Sequence, residues 1–392
     1  MLPDGQSGGT RRPDTRKQPR SEGRKGSGKG TWHSMSGSHD GVEHSMTPWP
    51  AHGGRLSDLA RLYPEAPTPW IDLSTGINPH AYPISPMDHA LLNRLPDPLE
   101  EEALRLAAAD AYGVSADHVL AAAGSQMLIG LLPVFLPRFF LPSLVRIVGP
   151  TYSGHETAWA KAGFGVEHVP SFTASCTVAS ALPQRHMVTV ICSPNNPTGH
   201  SLTMDEIAAL AATHERQGGL VVLDEAFADF APQSAASLLP HPGLVICRSF
   251  GKTYGLAGIR IGFLLGSHPV LHAMRAAIGP WPVSTPGCHI GREALSDHRW
   301  RTQMGSRLAT EMAALRRIVT RAGLDYVGGT TLFSLFRSPQ AQQIWDDLAR
   351  AGLLVRRFEW DRDLLRFGLP GEASTLSRLA RALAGPGPGS RS

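Results

Sequence analysis

One lysine constrains this chain more than any other feature. Lys252 sits in the stretch 249–263, Ser-Phe-Gly-Lys-Thr-Tyr-Gly-Leu-Ala-Gly-Ile-Arg-Ile-Gly-Phe, directly after the apolar, strand-like run 244–247. Ser249 precedes the lysine by three residues and Arg260 follows it by eight. An amine on a flexible stem, held among small residues beside anion-binding groups, can lose its proton and attack an aldehyde. A nucleotide-binding P-loop is the first rival, because Gly251-Lys252-Thr253 looks like its end. That motif needs a glycine five residues before Gly251, and the chain has Ile246 there, so the rival fails. A lysine merely solvated in a surface turn is the plainer alternative. The rest of the chain argues against it.

A chain of 392 residues, 42% hydrophobic, can bury the core of one large α/β domain and a smaller companion. No uninterrupted apolar run is long enough to span a bilayer. Cys176, Cys192, Cys247 and Cys288 lie far apart and form no Cys-x-x-Cys. That excludes a zinc ribbon or a disulfide scaffold and fits reduced packing residues in a cytoplasmic protein, with no metal expected. The net charge of +4 is concentrated at one end, since residues 1–45 carry eight Lys/Arg against five Asp/Glu, or +3, leaving +1 for the remainder. A nearly neutral body gives no reason to expect a nucleic-acid partner.

Residues 1–45, rich in Gly, Ser, Arg and Lys, read as a disordered basic extension, and 386–392 as a disordered tail. Between them, 46–80 reads as an N-terminal segment, 81–284 as a large domain and 285–385 as a small C-terminal domain, with the break at Pro280-Trp281-Pro282. The N-terminal segment holds His52-Gly53-Gly54, an amphipathic helix over 56–62 and an extended run 71–79 ending in Ile77-Asn78-Pro79. A helix over 100–112 leads to 119–126, where a short strand, a Gly124-Ser125 turn and a helix start make an anion site. Buried strands are expected at 144–148, 188–192 and 220–223. They end in Gly149-Pro150-Thr151-Tyr152, in Ser193-Pro194-Asn195-Asn196-Pro197-Thr198-Gly199, and in Asp224-Glu225-Ala226-Phe227. Asp224, a carboxylate at a strand end, needs a cationic partner; Glu225 reads as structural. Leu308, Met312, Leu315 and Val319 keep helical spacing and read as core. One strand is expected over 329–336, a helix over 344–348, and arginine-bearing strands at 353–357 and 364–367.

Ser-x-x-Lys followed by Gly-x-x-Gly-x-Arg resembles the cofactor segment of the fold type I pyridoxal-phosphate aminotransferase superfamily, class I/II. Collinear motifs carry the likeness over most of the chain from Met46. The resemblance implies a large domain with a mainly parallel sheet, a smaller α+β domain, and a homodimer whose sites lie at the subunit interface. It implies pyridoxal 5'-phosphate held covalently by Lys252. Ser125, Gln126, Ser249 and Arg260 would hold the phosphate, Tyr152 would stack on the ring, and Asn196 would bind the 3-oxygen. Asp224 would keep the ring nitrogen protonated, which makes the ring an electron sink.

His-Gly-Gly, Gly-Ile-Asn-Pro and Asp-Glu-Ala-Phe together resemble one branch, the threonine-phosphate decarboxylases of cobalamin biosynthesis. That branch implies conversion of L-threonine O-3-phosphate into (R)-1-amino-2-propanol O-2-phosphate and CO2. By position, His52, Asn78, Arg356 and Arg366 become the substrate's anion ligands, the arginines bidentately where geometry allows. Phe227 stands where many aminotransferases have a tyrosine on the cofactor oxygen, and Leu95 where histidinol-phosphate aminotransferases have a tyrosine that reaches the partner subunit. The first departure favours the decarboxylase; the second removes that cross-subunit contact but not the dimer. An aminotransferase acting on histidinol phosphate or a related amino acid is the alternative. A third class, regulators with an aminotransferase-like sensor, needs a folded DNA reader that residues 1–45 do not offer.

Overall fold

The strand sequence of this chain is dictated by short β-branched runs that stop at turn residues. In chain order the strands are β1 Ile71–Leu73, β2 Val119–Ala122, β3 Leu144–Gly149, β4 Val166–Pro170, β5 Met187–Cys192 and β6 Leu220–Asp224. They continue as β7 Leu244–Ser249, β8 Gly262–Gly266, β9 Asp325–Gly329, β10 Phe333–Arg337, β11 Leu353–Arg357 and β12 Leu364–Gly368. The structure, a computed structural model, describes residues 53–170 and 185–384. His52, Cys176 and the expectations for 1–45 and 386–392 fall outside the described residues.

Among the described residues the strands form a seven-stranded sheet, β2-β8-β7-β6-β5-β3-β4, and a five-stranded sheet, β1-β11-β12-β10-β9. In the larger sheet every residue of β5, β6 and β7 is buried, as expected of parallel strands covered by helices on both faces. β8 alone runs against its neighbours β2 and β7. That reversal has a consequence for the site. The carboxyl ends of β2, β3, β5, β6 and β7 share one edge, and the residues just before β8, including Arg260, arrive at the same edge.

The helices begin and end on local signals. Pro98–Tyr112 starts with a capping box between Asp97 and Glu100, has proline in its first turn, and stops at left-handed Gly113. Met204–Arg216 opens with the equivalent box between Thr203 and Glu206. One large-sheet core gathers Leu104, Ile191, Leu223, Ile246, Phe263 and Leu295, the last from the helix Thr285–Ser296. Leu308, Met312, Leu315 and Val319, on the long helix His298–Arg321, are all buried against the smaller sheet with Phe336 and Phe367.

Two strands replace the single one expected over 329–336. Gly329 and Thr330 turn the chain, with the Thr330 N–H donating to Phe333 O at 2.8 Å. A Cβ on Gly329 would come within 2.4 Å of Phe333 O, so only glycine lets the hairpin close this tightly. The N-terminal segment also joins the smaller sheet, because β1 pairs in parallel with β11, Ile71 opposite Leu353. No helix of the described residues is long and apolar enough to cross a membrane.

Candidate functional site

The shared edge of the large sheet assembles most of the residues singled out in the sequence. Lys252 lies in the one-turn helix Phe250–Thr253 that follows β7. Its Nζ donates to Ser249 Oγ at 3.2 Å and sits 5.1 Å from the centroid of the Phe227 ring. Burial pushes the Lys252 amine below its ordinary pKa, and the charges of Arg366 and Arg260 act in the same direction, against the pull of Asp224. The shift makes this amine easier to deprotonate than an exposed lysine.

Asp224 ends β6 and is 5% exposed. Burial alone would raise its pKa, yet the carboxyl is held below its usual value by His155, by the charge of Lys252 and by the Ala226 amide. His155 Nε2 lies 2.9 Å from Asp224 Oδ2, and the Ala226 N–H donates to Oδ1 at 3.0 Å. His155 was not foreseen. Its only sequence signal is a polar residue on the buried face Gly154, His155, Ala158, Trp159 of the helix Ser153–Lys161. Cys192 Sγ completes a trio of donor atoms with His155 and Asp224, all within 4.8 Å of one another. Burial pushes the Cys192 thiol well up.

At the other end of the cleft Ser125 and Gln126 open the helix Ser125–Phe135, whose first-turn N–H groups have no acceptor within the helix. Arg260, in the left-handed region at φ 62°, lays its guanidinium against this helix start. A Cβ on Gly124 would stand 2.5 Å from Arg260 Nη2, so a bare glycine makes the seat. Tyr152 follows β3, and its hydroxyl donates to Gln126 Oε1 at 2.7 Å. Anion-binding groups therefore occupy one end of the cleft, and an amine with a carboxylate the other.

The smaller sheet contributes Arg366 and Arg356, which face each other across β12 and β11. Arg366 is 6% exposed. It donates to Asn196 Oδ1 and, at 2.5 Å, to Ser74 O, while its Nε is buried with no partner. Burial, then the charge of Arg356, pushes its pKa down. Asn196 thus touches Arg366 directly. Its neighbour Asn195 is consumed in the turn, bonding Pro150 O, Thr198 Oγ1 and Thr151 Oγ1.

Asn78 is placed differently from the other candidates. It is 2% exposed, its Nδ2 donates to Thr253 O at 2.9 Å, its Oδ1 accepts from the His80 N–H, and its own N–H donates to Lys252 O. These bonds place the Asn78 side chain at the lysine turn. Glu225 is also engaged within the protein, by Arg248, Ser234 and the Ala235 amide.

Comparison with known proteins follows this geometry. Residues 68–383 match the family described as aminotransferase class I and II. A threonine-phosphate decarboxylase of Pseudomonas aeruginosa is 38% identical over 85% of this chain and 97% of its own, and one from Sinorhizobium sp is 37% identical over the same shares. A histidinol-phosphate aminotransferase of Sinorhizobium meliloti, solved in complex with pyridoxal-5'-phosphate, superposes with a TM-score of 0.70 at 22% identity. That superposition covers 86% of this chain and 94% of the other. The architecture is accordingly that of the fold type I pyridoxal-phosphate enzymes, and the chain belongs to the aminotransferase class I and II family.

Proposed function

We propose that the protein uses pyridoxal 5'-phosphate to decarboxylate L-threonine O-3-phosphate, giving (R)-1-amino-2-propanol O-2-phosphate and CO2 for the aminopropanol arm of cobalamin. The observation that carries this reading is the reach of the likeness. Two threonine-phosphate decarboxylases are matched over 97% of their own length at 37% and 38% identity.

The residues fit the cofactor. Arg260, seated over bare Gly124, and the free amides of Ser125 and Gln126 suit its phosphate. Ser249 and Tyr152 border the same space, and Asn196 lies beside Arg366. When bound, pyridoxal phosphate supplies an electron-accepting ring to the substrate's Cα. Asp224, held below its usual value in part by His155, would keep a proton on the ring nitrogen. Lys252 would supply the amine that attaches the cofactor and, once freed by substrate, could return a proton to Cα. Phe227 replaces a hydroxyl donor with a ring edge, which leaves the cofactor's 3-oxygen to Asn196.

Specificity then rests on the anions. Arg366 and Arg356 are adjacent cations, and Arg366 has no carboxylate ion pair among the described residues. They suit a substrate with both a carboxylate and a phosphate, and by fixing those groups they decide which bond at Cα faces the ring. His52 is the further ligand proposed for the phosphate. Asn78 serves by holding Lys252.

The protein is also proposed to act as a cytoplasmic homodimer. Leu92, Leu95, Leu99 and Trp281 are 61%, 60%, 78% and 50% exposed. The Trp281 N–H donates to Glu101 Oε1, which ties that residue to the helix beginning near Leu99. Large apolar side chains left this exposed suit a subunit contact. Its mass in solution by light scattering tests this.

The test of activity is to incubate the cofactor-loaded protein with L-threonine O-3-phosphate and no 2-oxo acid, following CO2. Catalytic release is expected. No release, with amino transfer once 2-oxoglutarate and histidinol phosphate are supplied, would replace the decarboxylase with the aminotransferase.

A further inference from the structure

Behind the lysine turn lies a buried charge cluster that the proposed chemistry does not use. Arg248, on β7 and 3% exposed, bonds Glu225 Oε2 at 2.5 Å and Asp229 Oδ1, and its Cζ sits 4.4 Å from the centroid of the Tyr112 ring. Asp229 uses its second oxygen differently: Oδ2 accepts the hydroxyl of Thr253. Thr253 is the residue immediately after Lys252, and its carbonyl accepts from Asn78 Nδ2.

We propose that Asp229 and Thr253 are positioning residues that fix Lys252 for its reaction with the cofactor, the fixed point being the buried Arg248. The inference rests on Lys252 being the cofactor-bearing residue. Glu225 and Asp229 share Arg248, and Glu225 also bonds the Ser234 hydroxyl and the Ala235 amide. The Asp229 to Thr253 bond goes elsewhere, to the lysine turn alone. The guanidinium immobilises the carboxylate, the carboxylate immobilises the Thr253 hydroxyl, and Asn78 holds the carbonyls of Lys252 and Thr253. A four-carbon stem gains from such a base. Lys252 must present one atom to an aldehyde, and a misplacement of about 1 Å in such a geometry can cost on the order of a hundredfold in rate.

The experiment compares Thr253→Val, Thr253→Ser, Asp229→Asn and the Thr253→Val/Asp229→Asn double variant. The cofactor is removed, pyridoxal phosphate is added back, and the absorbance change that reports its covalent capture is timed; kcat, KM and Tm follow on the loaded proteins. Thr253→Val should slow capture and lower kcat by about tenfold, with KM and Tm close to those of Thr253→Ser, which restores both rates. Asp229→Asn should act in the same direction, and the double variant should be no worse than the poorer single one. Capture at the wild-type rate in Thr253→Val overturns the proposal, as does a double variant in which the two losses multiply. Capture needs no substrate, so it remains readable if threonine phosphate is not turned over. Capture that survives in Lys252→Ala would instead remove the assignment of Lys252, and the proposal with it.

Discussion

Arg366 holds a charge that the empty protein does not need, and replacing it should separate stability from function. The guanidinium is 6% exposed, donates to two neutral acceptors, Asn196 Oδ1 and Ser74 O, and leaves Nε without a partner. Arg366→Met keeps an unbranched apolar stem, shorter than the arginine, and removes the charge. Leaving two acceptors unpaired costs roughly 1–3 kcal/mol each. Against this stands the desolvation of a cation with no carboxylate partner, several kcal/mol per ion. The terms nearly cancel, so the cofactor-free variant should melt at or above the wild-type temperature. Binding is another matter. Two charge-assisted hydrogen bonds to a substrate anion contribute about 1.5–3 kcal/mol each. At 1.4 kcal/mol per factor of ten, their loss lowers kcat/KM for threonine phosphate by roughly two to four orders of magnitude. Initial rates of CO2 release and thermal unfolding of the cofactor-free protein are the assays. A wild-type kcat/KM, or a marked drop in Tm, would refute the view that this arginine is kept for an anion at the expense of the fold.

Three further outcomes are expected. Asp224→Asn keeps the shape and the contact with His155 but removes the charge facing the ring nitrogen, so kcat should fall by about 10²–10³ while cofactor content, read by absorbance, is retained. In the cofactor-free protein the depressed pKa of Lys252 penalises folding while the buried amine is protonated. That penalty fades as pH rises from the folded pKa toward the ordinary value of 10.5. The Tm of wild type should therefore gain on that of Lys252→Met over this window, and a pH-independent gap would contradict it. Gly124→Ala places a methyl against Arg260 at a residue with φ +89°, where an L side chain costs about 1–3 kcal/mol; equilibrium dialysis should show weaker cofactor binding than in wild type.

What the sequence made legible follows the local character of each signal. Asp224 and Ser249 end strands, Lys252 and Asn196 follow a strand within a few residues, and Arg260 stands just before one, where few residues determine the backbone and glycine, proline and asparagine mark the place. The strands themselves could be read because parallel, doubly covered strands are apolar throughout. The expected strand over 329–336 failed for the opposite reason. Its apolar character begins only at Leu332, and the fold of Gly329 and Thr330 depends on a contact with Phe333 that composition does not announce. Contacts of long sequence separation were beyond reach altogether. His155 meets Asp224 across 69 positions, Asn78 meets Thr253 across 175, and Arg366 meets Ser74 across 292. Asn78 is the instructive case. Its motif pointed to the site correctly, since it lies beside the lysine turn, but a motif gives a neighbourhood and not a bonding partner. In this chain the neighbourhoods are written strand by strand along the large sheet, whereas the partners are set by how β1, β11 and β12 bring a second sheet against that edge. The residues most exposed to misreading are therefore those that join the two sheets, and they are also the ones through which substrate anions would be sensed.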